Sequence, residues 1–162
     1  MLVRSATLNV MMMAAEKAGH KLVRDFGEVE QLQVSRKGPA DFVSSADNRA
    51  EKTIRQELQK ARPDYSFLME EGGSIDGDDD KGRFIVDPLD GTTNFLHSIP
   101  HFAVSIAAQE RKPDGSWGDI VAALEEAQAD EALFDQDEAN FAGNVAGGRR
   151  AMPQMVFIRE YA

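Results

Sequence analysis

Apolar residues recur at helical spacing from Leu2 to about Leu32, at Leu8, Met11, Ala15, Leu22, Phe26 and Val29. That period predicts a long amphipathic helix with one stripe turned toward a core. Gly19 and Gly27 fall inside the span without erasing it. The cluster Met11-Met12-Met13 admits two readings, packing against a sheet or a pliable partner surface. A second helix is predicted from about Ala46 to Ala61, with Ser44 or Ser45 as N-cap and Arg62-Pro63-Asp64 as the stop. Strand patterns follow at Tyr65-Ser66-Phe67-Leu68-Met69, Phe84-Ile85-Val86, Phe102 to Ala108 and Ile120 to Leu124. Gly72 to Gly82 reads as a polar loop, and Pro113-Asp114-Gly115 as a turn. Helices first, then strands without helices between them, predict an α+β fold: N-terminal helices packed on an antiparallel sheet.

A chain of 162 residues is long enough for one domain, burying about 70% of its unfolded surface. No apolar run approaches the roughly 20 residues of a membrane helix. The patch Val10 to Ala15 runs on into Glu16-Lys17 with no small-residue cleavage site, so a signal peptide is not expected and a cytoplasmic location is. Acidic residues outnumber basic ones 28 to 18, for a formal charge of −10. Such a surface repels nucleic acid and anionic lipid, so neither is an expected partner. It also repels a phosphate ester unless bound cations invert the local field. The chain has no cysteine, which excludes disulfides, zinc thiolates and a thiol nucleophile.

The chemistry concentrates in Asp87-Pro88-Leu89-Asp90-Gly91-Thr92-Thr93-Asn94-Phe95. The apolar run before it delivers Asp87 at a strand end, and Pro88, which lacks an N–H, should stop regular pairing. Gly91-Thr92-Thr93 looks like a turn opening a helix, with backbone N–H groups that favour an anion. Asp87 and Asp90 offer the oxygen donors that Mg2+ prefers. The nonamer resembles the signature of the inositol monophosphatase family. The resemblance extends to Lys37 through Asp47, to Glu70-Glu71, and to His101 through Ala107, and covers roughly residues 1–125. Thr92-Thr93-Asn94 resembles the monophosphatase branch more than related magnesium- and lithium-linked phosphatases. The fold it implies is the first half of that family's alternating α/β sandwich.

The resemblance implies Mg2+-dependent, lithium-sensitive hydrolysis of a small phosphate monoester, such as inositol monophosphate, by a two-metal activated water. Asp87 would bridge the two ions, Glu70 and the Leu89 carbonyl would complete the first, and Asp90 would bind the second. Thr92 would orient the attacking water, with Asp47 as the acceptor that polarises it. Leu89, Asp90, Gly91 and Thr92 would line the phosphate. Plainer roles stand beside these. Asp87 and Asp90 can cap the helix, Thr92 can make a local hydrogen bond, and Asp47 can complement a helix dipole. Glu70 and Glu71 point to opposite faces of a strand, and the family pattern uses the first. Lys37 either approaches the phosphate or a third cation's ligands, or is solvated. Asp76 to Gly82 imitates a calcium loop but lacks the required Gly and Glu, so a solvated acidic loop is expected. Pro100 separates His97 from His101, which read as loop residues rather than zinc ligands.

The organisation expected is a metal- and phosphate-binding domain over residues 1–124 and a diverged or truncated tail over 125–162. Ala122 to Gln136 can be strand, helix or both; Ala142 to Gly148 reads as flexible, and Met155-Val156-Phe157-Ile158 can add a strand. The family's W-D-x-A-A-G-like motif, whose Asp completes the metal site, has no counterpart here. Two functions follow: a phosphomonoesterase, or a catalytically impaired metal-binding or interaction module. A homodimer is compatible with either, since half a sandwich leaves apolar surface to cover.

Overall fold

A computed structural model of the chain describes residues 5–32, 38–77, 81–129 and 154–160. It is α+β. Helix α1 (Ala6–Leu32) and helix α2 (Pro39–Ala61) precede β1 (Tyr65–Met69), β2 (Gly73–Ile75), β3 (Gly82–Asp90), the short helix α3 (Thr92–Leu96), β4 (His101–Arg111), β5 (Trp117–Ala129) and β6 (Gln154–Glu160). The six strands form one sheet in the order β2-β1-β3-β4-β5-β6. Every pairing is antiparallel except β1 with β3, which is parallel. That single parallel pair departs from an all-antiparallel sheet. Its cause is β2, a hairpin partner that folds back on the outer edge of β1 and lets the chain re-enter beside β1 in the same direction.

The predicted stripe of α1 is buried throughout, from Leu8 to Val29, and Gly19 and Gly27 are absorbed without a break. Helix α2 begins seven residues earlier than its serines suggest. Pro39 occupies the first turn, where its fixed φ and missing N–H are no handicap. Ser44 and Ser45 are therefore not caps: Ser45 Oγ donates to the Asp41 carbonyl one turn back. The loop expected at Gly72–Gly82 contains β2, too short and too polar to show a strand period. β5 continues beyond Leu124 to Ala129 and pairs with β6. Residues 130–153 and Asp78-Asp79-Asp80 lie outside the described residues, and with them the tail glycines and the centre of the acidic loop.

Both helices lie against the sheet: α1 touches β4 and β5, and α2 touches β1 and β3. The buried face is continuous. Phe67 pairs with Phe84, Phe84 with Ala108 and Ala108 with Ala122, while Val86, Ile106 and Leu124 form the next row. Period-2 alternation puts Leu68, Ile85, Ala107 and Ala123 on the other face, half-buried. Between the helices, Asp25 is 3% exposed and accepts from Arg49 at 3.0 Å, while Lys21 donates to Thr53 at 3.0 Å.

Three rings close the core behind the nonamer. Phe26 of α1 lies 5.4 Å from Phe95 and 5.2 Å from Phe102, and Phe95 and Phe102 meet edge to face at 4.8 Å. The last residue of the motif is thus the anchor fixing α3 to α1 and β4. Phe26→Ala should destabilise the chain by about 3–5 kcal/mol, read as a lower denaturant midpoint; an unchanged midpoint would show that this cluster does not hold the corner.

Candidate metal and phosphate site

Parallel strands deliver their ends to the same edge of a sheet. Met69 pairs with Val86, so the next residues, Glu70 and Asp87, emerge side by side. The Glu70 N–H extends the ladder by donating to the Val86 carbonyl at 3.2 Å. The two carboxylates are left within hydrogen-bonding reach of one another, which both can satisfy only by sharing a proton. Glu70 is accordingly pushed up to about 7, first by its hydrogen bond with Asp87, then by burial, and then by the charges of Asp87, Glu71 and Asp90.

After Asp87 the backbone is tied into a fixed corner. Asp87 Oδ1 accepts the Leu89 N–H at 3.1 Å, rounding the chain past the buried Pro88. Regular pairing of β3 with β4 shifts register here, between the Asp87–Ser105 and Asp90–Ala103 pairs. It thus stops at Pro88, as its missing N–H requires, but resumes at Asp90. The Thr92 hydroxyl donates to the Leu89 carbonyl at 2.9 Å, and the Asn94 amide donates to the His101 carbonyl at 2.9 Å. Gly91 adopts φ +87°, and a Cβ there would lie 3.0 Å from the His101 carbonyl oxygen. Only glycine meets both conditions.

Asp47 enters from α2. It sits on the inner stripe of that helix among Val43, Ala46 and Ala50, 5% exposed, and its Oδ1 has no hydrogen-bond partner. A buried carboxylate oxygen without a donor is rare and costly. Burial first, then the charges of Glu70, Glu71, Asp87 and Glu51, push Asp47 up to about 7. The field that raises it comes from the same acids that pair across β1 and β3.

Of the candidate residues, the structure brings Glu70 and Asp87 together, sets Asp90 and Asp47 within their electrostatic reach, and places Leu89, Gly91 and Thr92 on the adjoining turn. The Thr92 hydroxyl is engaged with Leu89 rather than with Asp47 Oδ1. Lys37 lies outside the described residues. His97 ends α3 and His101 opens β4. Among the described residues, no three Asp, Glu, His or Cys side chains already converge as a cation cage. The donor chemistry nevertheless fits a hard divalent cation. Glu70 and Asp87 face one another where a cation would satisfy both, Asp47 presents an orphan oxygen, and every donor is oxygen. One residue with no sequence signature joins the site: Glu51, one turn after Asp47, accepts the Glu71 and Gly72 N–H groups on Oε2 at 3.1 and 3.4 Å.

Raised folded-state pKa values mean that the native state holds these protons more tightly than the unfolded chain. Their contribution to stability is present below the unfolded carboxylate range and is lost as pH rises through about 7. Asp47→Asn, which mimics the neutral form, should therefore lessen the loss of stability between pH 5 and pH 8 in metal-free buffer. Denaturant midpoints at the two pH values measure it, and a wild-type-like loss in the variant would contradict the assignment.

The geometry has counterparts in known proteins. Residues 4–114 match the model of the inositol monophosphatase family. The chain is 62% identical over 121 residues to inositol-1-monophosphatase of Rhizobium meliloti, covering 75% of this chain and 43% of that protein. It is 43% identical over 104 residues to Nus factor SuhB of Vibrio cholerae, covering 64% and 39%. Among solved structures, the extragenic suppressor protein suhB of Bartonella henselae aligns with a TM-score of 0.63 at 50% identity, over 80% of this chain and 49% of that one. Inositol monophosphatase from Anabaena aligns with a TM-score of 0.54 at 26% identity, over 75% and 43%. The chain thus spans less than half the length of these relatives. It belongs to the inositol monophosphatase family, matching the N-terminal portion of its members.

Proposed function

We propose that this chain carries the cation- and phosphate-binding part of a Mg2+-dependent, lithium-sensitive phosphomonoesterase acting on a small polyol or sugar phosphate, with inositol monophosphate as the type substrate. The observation that carries it is the Glu70–Asp87 pair at the mouth of the nonamer, with the orphan oxygen of Asp47 facing the same field. Glu70, Asp87, the Leu89 carbonyl and Asp90 would hold the ions. When bound, Mg2+ supplies a water of lowered pKa and charge compensation for the phosphate and leaving oxygen.

The protein's own residues do the rest. Gly91, held at positive φ, turns the backbone into α3, whose first N–H groups would face a bound phosphate. The Thr92 hydroxyl donates to Leu89, which fixes its rotamer and leaves its lone pairs free to accept a hydrogen bond from the attacking water. Asp47, raised to about 7, would in its ionised form accept the proton that the attacking water loses. With a formal charge of −10, the surface does not by itself attract a phosphate ester, so binding substrate depends on the cations.

A second role has its own support. Relatives 40–43% identical to this chain bear the name Nus factor SuhB, and the matched portion is less than half of each relative. A cation-binding module that works through a partner, as a monomer or homodimer, fits those facts without turnover. Phosphate release from inositol monophosphate separates the two. The phosphatase should need Mg2+, stop on chelation, and lose at least about a hundredfold in rate in Asp87→Asn, more than outer-shell residues usually cost. Turnover that survives chelation or ignores Asp87→Asn would overturn the phosphatase. Cation binding in calorimetry with no turnover over a panel of phosphate esters would leave the module.

A further inference from the structure

Glu70 reaches Asp87 from the last residue of a strand, and its position depends on what holds the chain immediately after it. On one side the Glu70 N–H is fixed to the Val86 carbonyl, one residue before Asp87. On the other side no strand continues, and β2 does not start until Gly73. The two N–H groups in between, of Glu71 and Gly72, both donate to Glu51 Oε2. The carboxylate that receives them belongs to α2, the helix that also carries Asp47 four residues earlier, so Asp47 and Glu51 face the site from adjacent turns.

Gly72 shows how closely this contact is built. A Cβ on Gly72 would lie 2.8 Å from Glu51 Oε1 and 3.6 Å from the Met69 Cβ. Its φ is not positive, so no backbone twist calls for glycine here, and the atom an added Cβ would meet first is the Glu51 carboxylate oxygen. Glu57, two turns further along α2, instead pairs with Lys17 of α1 and has no part in the corner.

We infer that Glu51 is a positioning residue for the cation site: its carboxylate clamps the Glu70-Glu71-Gly72 corner by its backbone and thereby sets the Glu70 side chain against Asp87. The clamp couples α2 to the end of β1, so Asp47 and Glu70 move as one unit. What it needs from Glu51 is an acceptor oxygen at that distance. Glutamine retains one, and alanine does not.

The consequence for metal binding rests on the proposed cation site, whereas the clamp itself does not, and the two are tested separately. Amide hydrogen exchange without metal reads the clamp: Glu51→Ala should accelerate exchange at Glu71 and Gly72 by about tenfold or more, and Glu51→Gln should leave it near wild type. Unchanged exchange in Glu51→Ala overturns the inference. Mg2+ titration by calorimetry reads the consequence: Glu51→Ala should weaken binding by about 10-fold, the usual size of an outer-shell loss, with Glu51→Gln restoring most of it. Glu57→Ala, a helix-surface control, should bind Mg2+ as wild type does. Wild-type Mg2+ affinity in a folded Glu51→Ala, or a Gln variant as weak as Ala, overturns the positioning role. A wild-type chain that binds no Mg2+ overturns the cation site instead and leaves the exchange result to decide the clamp.

Discussion

Like charges brought together in a partly buried corner repel, and the end of the β1–β3 pair has to hold Glu70, Asp87 and Asp47 against that repulsion. The parallel pairing creates the problem, because it delivers Glu70 and Asp87 to the same edge at adjacent positions. The surrounding structure over-determines the corner. Glu51 ties down the chain after Glu70, the Leu89 N–H pins Asp87, and Gly91 at φ +87° presses its turn against His101 and Phe102. Behind it the Phe26–Phe95–Phe102 rings fill the core. Strain and unsatisfied groups persist in folded proteins where the surroundings enforce them, and they cluster at functional sites.

Protons can relieve this repulsion near pH 7, and a divalent cation would relieve it more strongly. Glu70 and Asp47 are both pushed up to about 7, so near neutrality a modest binding energy suffices to exchange a proton for a metal. The same arithmetic explains why the acids are tolerable in a chain of formal charge −10. Burial and mutual repulsion favour the protonated forms of Glu70 and Asp47, and a bound cation would favour their ionised forms. A positive group beside it would satisfy the orphan oxygen of Asp47.

Much of this was legible in the residues. The stripe of α1, the limits of β1 and the nonamer's strand-turn-helix form follow from periodicity and from the φ demands of Pro88 and Gly91. The start of α2 was not, because Ser44 and Ser45 look like caps while Pro39 supplies the real beginning. β2 has no sequence signature because three residues, Gly73-Ser74-Ile75, carry no period; the parallel β1–β3 pair is hidden with it, since a crossover is normally signalled by a helix. Glu51 had no signature of its own. A side chain that accepts backbone N–H groups twenty residues away looks, in sequence, like any exposed helix glutamate. The candidate site residues were named by local motif, but the lock that orients them is a long-range contact.

The central claim is that protons and a divalent cation compete for the Glu70–Asp87–Asp47 corner. Calorimetric titration of the chain with Mg2+ at about pH 6.5, in two buffers of different ionisation enthalpy, counts the protons that binding displaces. The account predicts net proton release, falling as pH is raised above about 7 and reduced in Asp47→Asn. Binding with no proton release at pH 6.5, or release untouched by Asp47→Asn, would contradict it.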